Sequence, residues 1–296
     1  MLGQIRRLSG SVAVAALLAT AIGVSVQARV EEPAADPAIV NLVPAAVRAT
    51  GTLVIGTDAT YPPFESIDPK TNQIIGFDVD LGRGIAALMG LQVKFVNTPF
   101  DNLIPSLASG KLSVAMSSIG DTKAREGVVD FVTYYWNSTN LLVSAANPKS
   151  LAMDHLCGAK VGVERGTLQQ TTILPELMAK CPDKNTALAA GYIFNNNNDA
   201  VLALSSGRID AVLNDAVAND HVAETSDGQF IAVGPLMRNN SPGGVAIAKD
   251  SELQPAILAA VKKLMQDGTY AAALKTWHLA AIGIDDPTIN WAGHQK

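Results

Sequence analysis

The sequence predicts an α/β protein of two lobes, in which each lobe is a mostly parallel sheet flanked by helices and two strands form the hinge between them. Short β-branched runs alternate with amphipathic segments from Gly51 onward, as in parallel sheets with helical crossovers. The alternation restarts at Lys160. The 296 residues minus a predicted signal of 28 leave 268, more than the roughly 100 to 200 of one typical core. Two cores imply a cleft between them.

The first 28 residues have the layout of a secretory signal peptide. Arg6 and Arg7 precede an apolar run from Leu8 to Val26, and small residues lead to a predicted cleavage site after Ala28. A membrane anchor is the alternative, but Gly, Thr and Ser residues interrupt the apolar run. The next residue is Arg29 rather than Cys, so the new N-terminus offers no site for a lipid. We therefore expect a free periplasmic protein.

The charge balance of the chain is acidic. There are 22 Lys plus Arg against 27 Asp plus Glu, and removal of residues 1–28 takes away two Arg and no acid, which leaves 20 minus 27, or −7. Nucleic acid is therefore not expected as a partner. No later stretch reaches the roughly 18 continuous apolar residues that a membrane span needs, so we expect the mature chain to be soluble.

The two cysteines, Cys157 and Cys181, are expected to form a disulfide, because export places them in an oxidising compartment. In the chain-entropy model such a bridge stabilises the fold by about 3 kcal/mol. A metal site or a nucleophilic thiol is the alternative, but two thiols without suitably spaced His make a poor zinc site. The His residues are scattered along the chain. Neither a metal nor another cofactor is expected.

Lobe 1 is expected to combine residues 51–140 with 242–282, after a flexible, poorly ordered leader at 29–50 that is rich in Pro and acids. In its first helix, apolar residues crowd one side and Asp78 is placed to cap the start. The predicted elements of the first part are a strand at Leu53–Gly56, a helix at Asp78–Met89, a strand at Val93–Val96, a short helix at Leu103–Ala108 and a strand at Leu112–Met116.

Lobe 2 is expected to span residues 141–241. Two extended stretches, Asn140–Ala145 and Ser241–Ala248, would form the hinge, where Pro242, Gly243 and Gly244 can absorb backbone change. Residues 283–296 are a C-terminal tail. The remaining predicted elements are a strand at Val161–Val163, helices at Gln169–Ala179 and Asn198–Ser205, a strand at Ala211–Leu213, and the helices Pro255–Gln266 and Tyr270–Trp277 that return to lobe 1.

Several segments resemble a known family. They are Gly56–Glu65 (GTDATYPPFE), Gly76–Leu81 (GFDVDL), Ile104–Leu107, Met116–Ser118, Arg125 with Val129–Phe131, Val161–Thr167 (VGVERGT), Gly207–Val212 with Asp215, and Asp267–Tyr270. In order and spacing they resemble the family 3 solute-binding proteins, the periplasmic polar amino acid-binding proteins of ABC importers. The resemblance covers about Gly51 to Leu279, and it implies the type II periplasmic-binding-protein fold.

The resemblance implies an amino acid ligand held between the lobes. The family's ligand-carboxylate Arg falls on Arg125, whose planar guanidinium offers two parallel N–H donors. The family's partner for the ligand ammonium falls on Asp215, which follows an apolar strand at the end that faces the crevice of an open α/β sheet. One zwitterion would thus bridge both lobes. From the residues alone, Arg125 could instead be a solvated surface charge, and Asp215 a helix N-cap.

Similarity also places aromatic rings and small polar groups around the ligand. Gly120 departs from members with Ser there, and Leu168 from members with Thr, so two hydroxyls are missing, although the backbone amides at both positions could still bind a carboxylate. Ordinary core packing is the alternative for Phe100. The residues implied are Tyr61 and Phe100 above and below the ligand side chain, together with Ser117, Ser118, Gly120, Thr167 and Leu168.

Choice of the ligand side chain is expected to depend on Asp58, with Glu164 as a second acid. In related proteins the acid at the first position meets a cationic or amide side chain, which favours arginine, lysine, histidine or glutamine. Arg165, beside Glu164, would instead favour an acidic ligand.

The predicted function is capture of a polar amino acid of the cationic or amide class and its delivery to the permease and ATPase of an inner-membrane ABC importer. The protein is expected to be a monomer and not an enzyme, so no catalytic residue is assigned. One alternative is an enzyme similar to cyclohexadienyl dehydratase on the same fold, which would need a poised acid or base beside the carboxylate site. The other is a ligand-sensing partner of a membrane receptor.

Overall fold

The computed structural model describes residues 32–182 and 192–295. The predicted signal peptide and its cleavage site after Ala28 lie outside these residues. Within them, no helix combines the length and the apolarity that crossing a membrane would require.

Lobe 1 opens with short helices and a strand–helix alternation, as the periodicity predicts. The elements are α1 (Pro37–Leu42), α2 (Ala45–Thr50), β1 (Thr52–Thr57), β2 (Thr60–Tyr61), β3 (Glu65–Ile67), β4 (Ile74–Ile75), α3 (Phe77–Leu88), β5 (Gln92–Asn97), α4 (Phe100–Ala108), β6 (Val114–Ala115) and α5 (Lys123–Glu126). Strand β1 is longer than the predicted strand by one residue at each end, and α3 begins and ends one residue before the predicted helix, because the ends of elements depend on caps and on pairing partners.

A long strand then leads into lobe 2, and a second long strand leads back. The elements of this part are β7 (Val129–Ser144), β8 (Val161–Glu164), a π-helical turn (Gln169–Ile173) continued by α6 (Leu174–Ala179), β9 (Tyr192–Phe194), α7 (Asn197–Ser205), β10 (Ala211–Asp215), α8 (Ala216–Thr225) and β11 (Phe230–Ala248). Lobe 1 is completed by α9 (Gln254–Gln266), α10 (Thr269–Thr276) and two short 3₁₀ turns at Ala280–Ile282 and Ala292–His294.

One eight-stranded sheet runs through both lobes in the order β5-β1-β6-β11-β7-β10-β8-β9. The outer strands of each lobe pair in parallel, β1 with β5 and β6, and β8 with β9 and β10. The two long strands β7 and β11 pair antiparallel to each other and to their neighbours. The mixed, mostly parallel α/β fold class is therefore confirmed.

The crossing between the lobes consists of β7 and β11. Their pairing changes register at three places between Val233 and Gly244. The glycines at this crossing allow close packing: a Cβ on Gly243 would lie 1.9 Å from Tyr135 Cζ, and one on Gly244 would lie 2.5 Å from the Val132 carbonyl oxygen. Backbone movement at this crossing stays a prediction.

The predicted flexible leader is wrong for residues 37–50, which form α1 and α2. Asp36 caps α1 by accepting a hydrogen bond from the Ala38 N–H at 2.9 Å, and Pro37 occupies the first helical turn. Ile39 and Val43 are buried in the main core of lobe 1. Pro and acidic residues are typical of disordered segments, but here they start a helix whose apolar side chains pack into the core of lobe 1.

The predicted cap by Asp78 is also wrong. Helix α3 has Gly76 as its N-cap, and Asp78 lies inside the first turn, 1% exposed. Its carboxylate accepts hydrogen bonds from the Ser118 N–H at 2.9 Å and from the Tyr134 hydroxyl at 2.7 Å. Asp78 therefore fixes the chain that follows β6 instead of closing the end of its own helix.

The predicted disulfide between Cys157 and Cys181 is confirmed, with the two Cα atoms 5.6 Å apart. It ties the end of α6 to the loop that precedes β8. This part of lobe 2 has its own small core, which includes Leu156, Val161 and Leu174.

Candidate functional site

The candidate site lies where strands of both lobes end. Asp58 follows β1 and Ser117 follows β6 in lobe 1, while Glu164 ends β8 and Asp215 ends β10 in lobe 2. Because β1 runs parallel to β6, and β8 to β10, the carboxyl ends of each pair meet at one edge of their lobe. In open α/β sheets, ligands bind outside the carboxyl ends of the strands.

The two edges enclose a small cavity with about 20 Å³ of free space. All ten predicted ligand-binding residues line it, together with Glu164, the second acid expected for the ligand side chain, and Gln169. The lining residues are Asp58, Tyr61, Phe100, Ser117, Ser118, Gly120, Arg125, Glu164, Thr167, Leu168, Gln169 and Asp215. Three carboxyl groups and one guanidinium thus share this cavity.

Arg125 faces the cavity and is not a solvated surface charge. It lies on the short helix α5, which begins after Thr122, whose side chain accepts a hydrogen bond from the Arg125 N–H. The guanidinium donates to the Gly120 carbonyl at 2.7 Å and to the Gly166 carbonyl of lobe 2 at 2.8 Å. Its Cζ lies 5.6 Å from the centre of the Phe100 ring. With two of its five N–H groups engaged, the guanidinium keeps others for an anion.

Asp215 occupies the N-cap position of α8, but its side chain makes no capping hydrogen bond. Its carboxylate accepts from the Ser118 hydroxyl at 2.8 Å and from the Gln169 amide at 2.7 Å. Burial raises the pKa of Asp215 to about 6, against these hydrogen bonds, which lower it. Asp215 as a residue is 5% exposed, and its carboxylate points toward lobe 1, where Ser118 lies. It is thus an acceptor for a group between the lobes.

Asp58 and Glu164 bring two further carboxyl groups to the cavity, one from each lobe, and both residues are 4% exposed. Asp58 accepts hydrogen bonds from the Thr60 hydroxyl at 2.8 Å and the Phe100 N–H at 2.9 Å. Among the described residues, no group donates to the Glu164 carboxylate. Burial, and then the charges of Asp58 and Asp215, raise the pKa of Glu164 well above its ordinary value. Burial likewise raises the pKa of Asp58.

Direct hydrogen bonds join the two lobes around this cavity. The Ser118 hydroxyl bonds to Asp215, Arg125 to the Gly166 carbonyl, and the Tyr61 hydroxyl to the Asn214 side chain. At the rim, Arg165 lies 3.8 Å from Asp101, with both side chains at least a third exposed. Arg165 does not line the cavity. It faces Asp101 at the surface, so it does not favour an acidic ligand in the cavity.

The two aromatic residues line the cavity in different ways. Tyr61 is buried and its hydroxyl faces lobe 2. Phe100 is half-buried, begins α4, and covers the Arg125 guanidinium with its ring. Phe100 also packs against the core cluster around Leu103, so it takes part both in core packing and in the lining of the cavity.

Thr167 and Leu168 line the cavity just before a helical turn. Thr167 and Leu168 directly precede the π-helical turn at Gln169–Ile173, where the first N–H groups have no partner within the helix. The Thr167 hydroxyl accepts from the Gln170 N–H at 3.2 Å and donates to the Glu164 carbonyl at 2.7 Å, which fixes this turn against β8. Such an arrangement is suited to an anion.

A buried polar cluster holds the Ser117–Ser118 corner in place. Ser117 Oγ accepts from the Asp58 N–H and donates to Glu65 Oε1, both at 2.9 Å. Ser118 has a positive φ of 45° and is held there by Asp78. Burial and the charge of Asp78 raise the pKa of Glu65 well above its ordinary value. Glu65 therefore supports the corner from the buried side through its hydrogen bond with Ser117.

Gln169 is a lining residue that the sequence reasoning missed. Its amide donates to both Asp215 and Thr139, so it orients the carboxylate that ends β10. The signal available was its place in the first turn of a predicted helix, directly after Thr167 and Leu168. Among the described residues, no cluster of His, Cys, Asp and Glu has the arrangement to hold a metal ion.

Comparison with known proteins places the chain in a family. Residues 53–280 match the sequence model of bacterial extracellular solute-binding proteins, family 3. A putative ABC transporter arginine-binding protein 2 of Escherichia coli K12 is 35% identical over 235 residues, which cover 77% of this chain and 91% of the relative.

Two solved structures resemble the fold over most of its length. An ancestral arginine-binding protein bound to arginine matches with a TM-score of 0.70 and 32% identity, covering 77% of this chain and 98% of the other. The ancestral amino acid-binding protein AncCDT-1, a precursor of cyclohexadienyl dehydratase, matches with a TM-score of 0.68 and 31% identity, covering 78% and 97%. The chain therefore belongs to the bacterial extracellular solute-binding proteins, family 3, the substrate-binding components of ABC importers.

Proposed function

We propose that the cavity binds a cationic amino acid, with L-arginine as the preferred ligand. The observation that carries this proposal is the charge of the cavity lining: Asp58, Glu164 and Asp215 face a single Arg125. A neutral zwitterion brings one positive and one negative charge, which Asp215 and Arg125 can each match. Asp58 and Glu164 would then remain as buried acids without a cationic partner, which is costly unless they are protonated.

The zwitterionic part of the ligand is proposed to lie between Arg125 and Asp215. The guanidinium of Arg125 and the backbone N–H groups of Gly120, Thr167 and Leu168 suit a carboxylate. Asp215 suits the ligand ammonium, because Ser118 and Gln169 already orient its two oxygens at 2.8 Å and 2.7 Å. As these groups come from both lobes, one ligand would hold the lobes together.

The side chain of the ligand is proposed to end between Asp58 and Glu164. A guanidinium is planar and has donors on more than one edge, so it can bond to two carboxylates on opposite sides. Asp58 comes from lobe 1 and Glu164 from lobe 2, an arrangement that suits such a group. A lysine ammonium carries the same charge but lacks this planar fork, so it should bind less tightly. Tyr61 would cover the aliphatic part of the ligand.

The names of the relatives support the ligand class. The E. coli relative is called an arginine-binding protein, and the ancestral protein with a TM-score of 0.70 was solved with arginine bound. We further propose that the chain is exported with cleavage after Ala28, acts in the periplasm as a monomer, and delivers the ligand to a permease and ATPase. Catalysis is not proposed, because each acid of the cavity already has a proposed role in holding the ammonium or the guanidinium of the ligand.

Titration calorimetry with L-arginine and L-citrulline tests the proposed ligand. Citrulline has almost the shape of arginine but carries a neutral ureido group. We expect arginine to bind at least about a hundredfold more tightly, because citrulline leaves two buried acids without a cation. D-arginine carries the same charged groups as L-arginine but has the opposite configuration at Cα. It should bind more weakly if the cavity fixes the ligand, and equally well if the acidic protein attracts any cation. Equal affinities for arginine and citrulline would contradict the proposal.

Mass spectrometry tests the enzymatic alternative, which the similarity to a precursor of cyclohexadienyl dehydratase makes worth excluding. Incubation of the protein with arginine, and separately with a cyclic dienyl acid, should return each compound unchanged. Turnover of either compound would contradict a role in binding alone.

A further inference from the structure

The C-terminal segment, residues 283–295, lies beyond the part of the chain that matches the family, which ends at residue 280. It runs along the edge of β7 that β11 leaves uncovered in lobe 1. Gly283 and Ile289 form bridges to Tyr135 and Val132, and the Thr288 N–H donates to Thr133 Oγ1 at 2.8 Å. The segment therefore takes the place beside β7 that β10 occupies in lobe 2.

The end of this segment contacts the turn that carries Arg125. The Trp291 N–H donates to Asp121 Oδ2 at 2.7 Å, and the Gly293 N–H donates to Glu126 Oε1 at 2.9 Å. Lys123 donates in return to the carbonyl of residue 295 at 2.6 Å. Residues 121–126 are thus held on both sides of Arg125 by the chain end.

The two acids that receive these bonds lie close together, and Glu126 is only partly buried. Asp121 is fully buried, and burial together with the neighbouring Glu126 carboxylate raises the pKa of Asp121 to about 8. Two adjacent carboxyl groups would repel each other if both were ionised, so the N–H groups of Trp291 and Gly293 are favourable partners for the remaining charge. Arg125 and Lys249 are the cations whose charges reach this pair.

A side chain at residue 293 would displace the Glu126 carboxylate. A Cβ there would lie 2.5 Å from Glu126 Oε2, the far end of a flexible side chain. A methyl group at this position would therefore move the Glu126 carboxylate without a clash against backbone. Gly293→Ala is a mild change that acts on this contact.

We propose that the C-terminal segment is a positioning element for the ligand-carboxylate site: by bonding to Asp121 and Glu126, it fixes the turn on which Arg125 stands. The proposal rests on the proposed role of Arg125 as the partner of the ligand carboxylate. The guanidinium must meet a carboxylate with two aligned bonds, and such alignment is sensitive to small displacements of the supporting backbone. None of the residues of the segment lines the amino acid cavity, and its contacts nearest to Arg125 are those with the turn.

Affinities of Gly293→Ala for two ligands test this proposal. L-arginine has a carboxylate, whereas agmatine has the same guanidinium and amine but no carboxylate. We expect Gly293→Ala to weaken arginine binding about five- to tenfold, the effect of one misaligned hydrogen bond, and agmatine binding less than about twofold. Asp286→Ala is the matched control, because Asp286 lies in the same segment, is 80% exposed in its side chain and does not contact the turn. Equal loss for both ligands, or no loss, would overturn the proposal.

Hydrogen exchange of the protein without ligand gives a second readout that does not depend on which amino acid binds. We expect amides 121–127 to exchange faster in Gly293→Ala than in wild type or Asp286→Ala. Unchanged exchange would overturn the proposal even if arginine bound as expected. If the wild type failed to bind arginine while exchange rose in Gly293→Ala, the proposed ligand would be wrong and the positioning of the turn would stand.

Discussion

Glu164 ends β8 with its carboxyl group in the cavity, and burial with the charges of Asp58 and Asp215 raises its pKa well above the ordinary value. The other two acids of the cavity accept hydrogen bonds from named donors, whereas no donor to this carboxylate is found among the described residues. A cationic ligand would supply one. At the scale of single residues, Glu164 is therefore the side chain whose ionisation should depend most on the ligand.

Glu164→Gln tests this role. The amide keeps the size of the side chain but removes the charge, so we expect the affinity for arginine to fall about tenfold and the affinity for citrulline to change little. Because the raised pKa favours the protonated acid in the free protein, arginine should also bind more tightly as pH rises in the wild type, and this dependence should weaken in the variant. Calorimetry between pH 5 and 8 measures both effects.

The matched control is Glu176→Gln, an exposed acid of α6 that does not line the amino acid cavity. It should leave both affinities unchanged. A Glu164→Gln protein with wild-type affinity for arginine at pH 8 would exclude a contact between Glu164 and the ligand side chain.

At the scale of elements, the site depends on the turn between β8 and α6. Thr167, Leu168 and Gln169 enter the cavity from this turn, and the disulfide between Cys157 and Cys181 ties down the other end of the same helix. Leu174 of α6 packs into the small core of lobe 2. The bridge should therefore stabilise lobe 2 more than it shapes the cavity.

Replacement of both cysteines by serine should lower the free energy of unfolding by about 3 kcal/mol, because the unfolded chain regains the freedom that the bridge removed. The affinity for arginine should change by less than about twofold. Urea unfolding and calorimetry measure the two quantities. A reducing agent should destabilise the wild type and leave the double variant unaffected; a loss of affinity as large as the loss of stability would contradict this separation.

At the scale of the whole molecule, several buried acids hold their protons more tightly in the folded chain. Burial raises the pKa of Asp78 and Asp215 to about 6 and that of Asp121 to about 8, and it raises the pKa of Glu65 and Glu164 well above the ordinary value. Between pH 4 and 8 the folded protein therefore binds more protons than the unfolded chain. The free energy of unfolding then falls as pH rises.

The ligand-free protein should accordingly be most stable at mildly acidic pH. We expect a melting temperature about 5 °C or more lower at pH 8 than at pH 5, as measured by scanning calorimetry. Asp130 acts in the opposite direction. Burial raises its pKa, but hydrogen bonds from Lys249 and Asn290 outweigh burial and lower the pKa below the ordinary value. Its contribution to the free energy of unfolding is therefore lost only as pH falls below the ordinary range of an Asp. Burial lowers the pKa of His221, which opposes the trend near neutral pH. A melting temperature that rises from pH 5 to 8 would contradict the prediction.

The fold class was available from the sequence because it depends on local patterns, whereas the candidate site residues were implied by the resemblance to the family 3 solute-binding proteins. Alternating strands and helices show which segments build a parallel sheet, and Asp58, Ser117 and Asp215 directly follow apolar strands, whose carboxyl ends meet at one edge. The resemblance to the family supplied Arg125, which neither strand periodicity nor its charged neighbours would have placed in the cleft.

Tertiary structure alone decided which polar groups lack a partner and which segments find one. Gln169 joined the site only through its contact with Asp215. Helices α1 and α2 and the C-terminal segment are ordered because lobe 1 supplies the surfaces on which they pack. Burial and hydrogen bonding depend on residues far apart in the chain, such as Trp291 beside Asp121 or Asp78 beside Ser118. Local periodicity contains no information about such contacts.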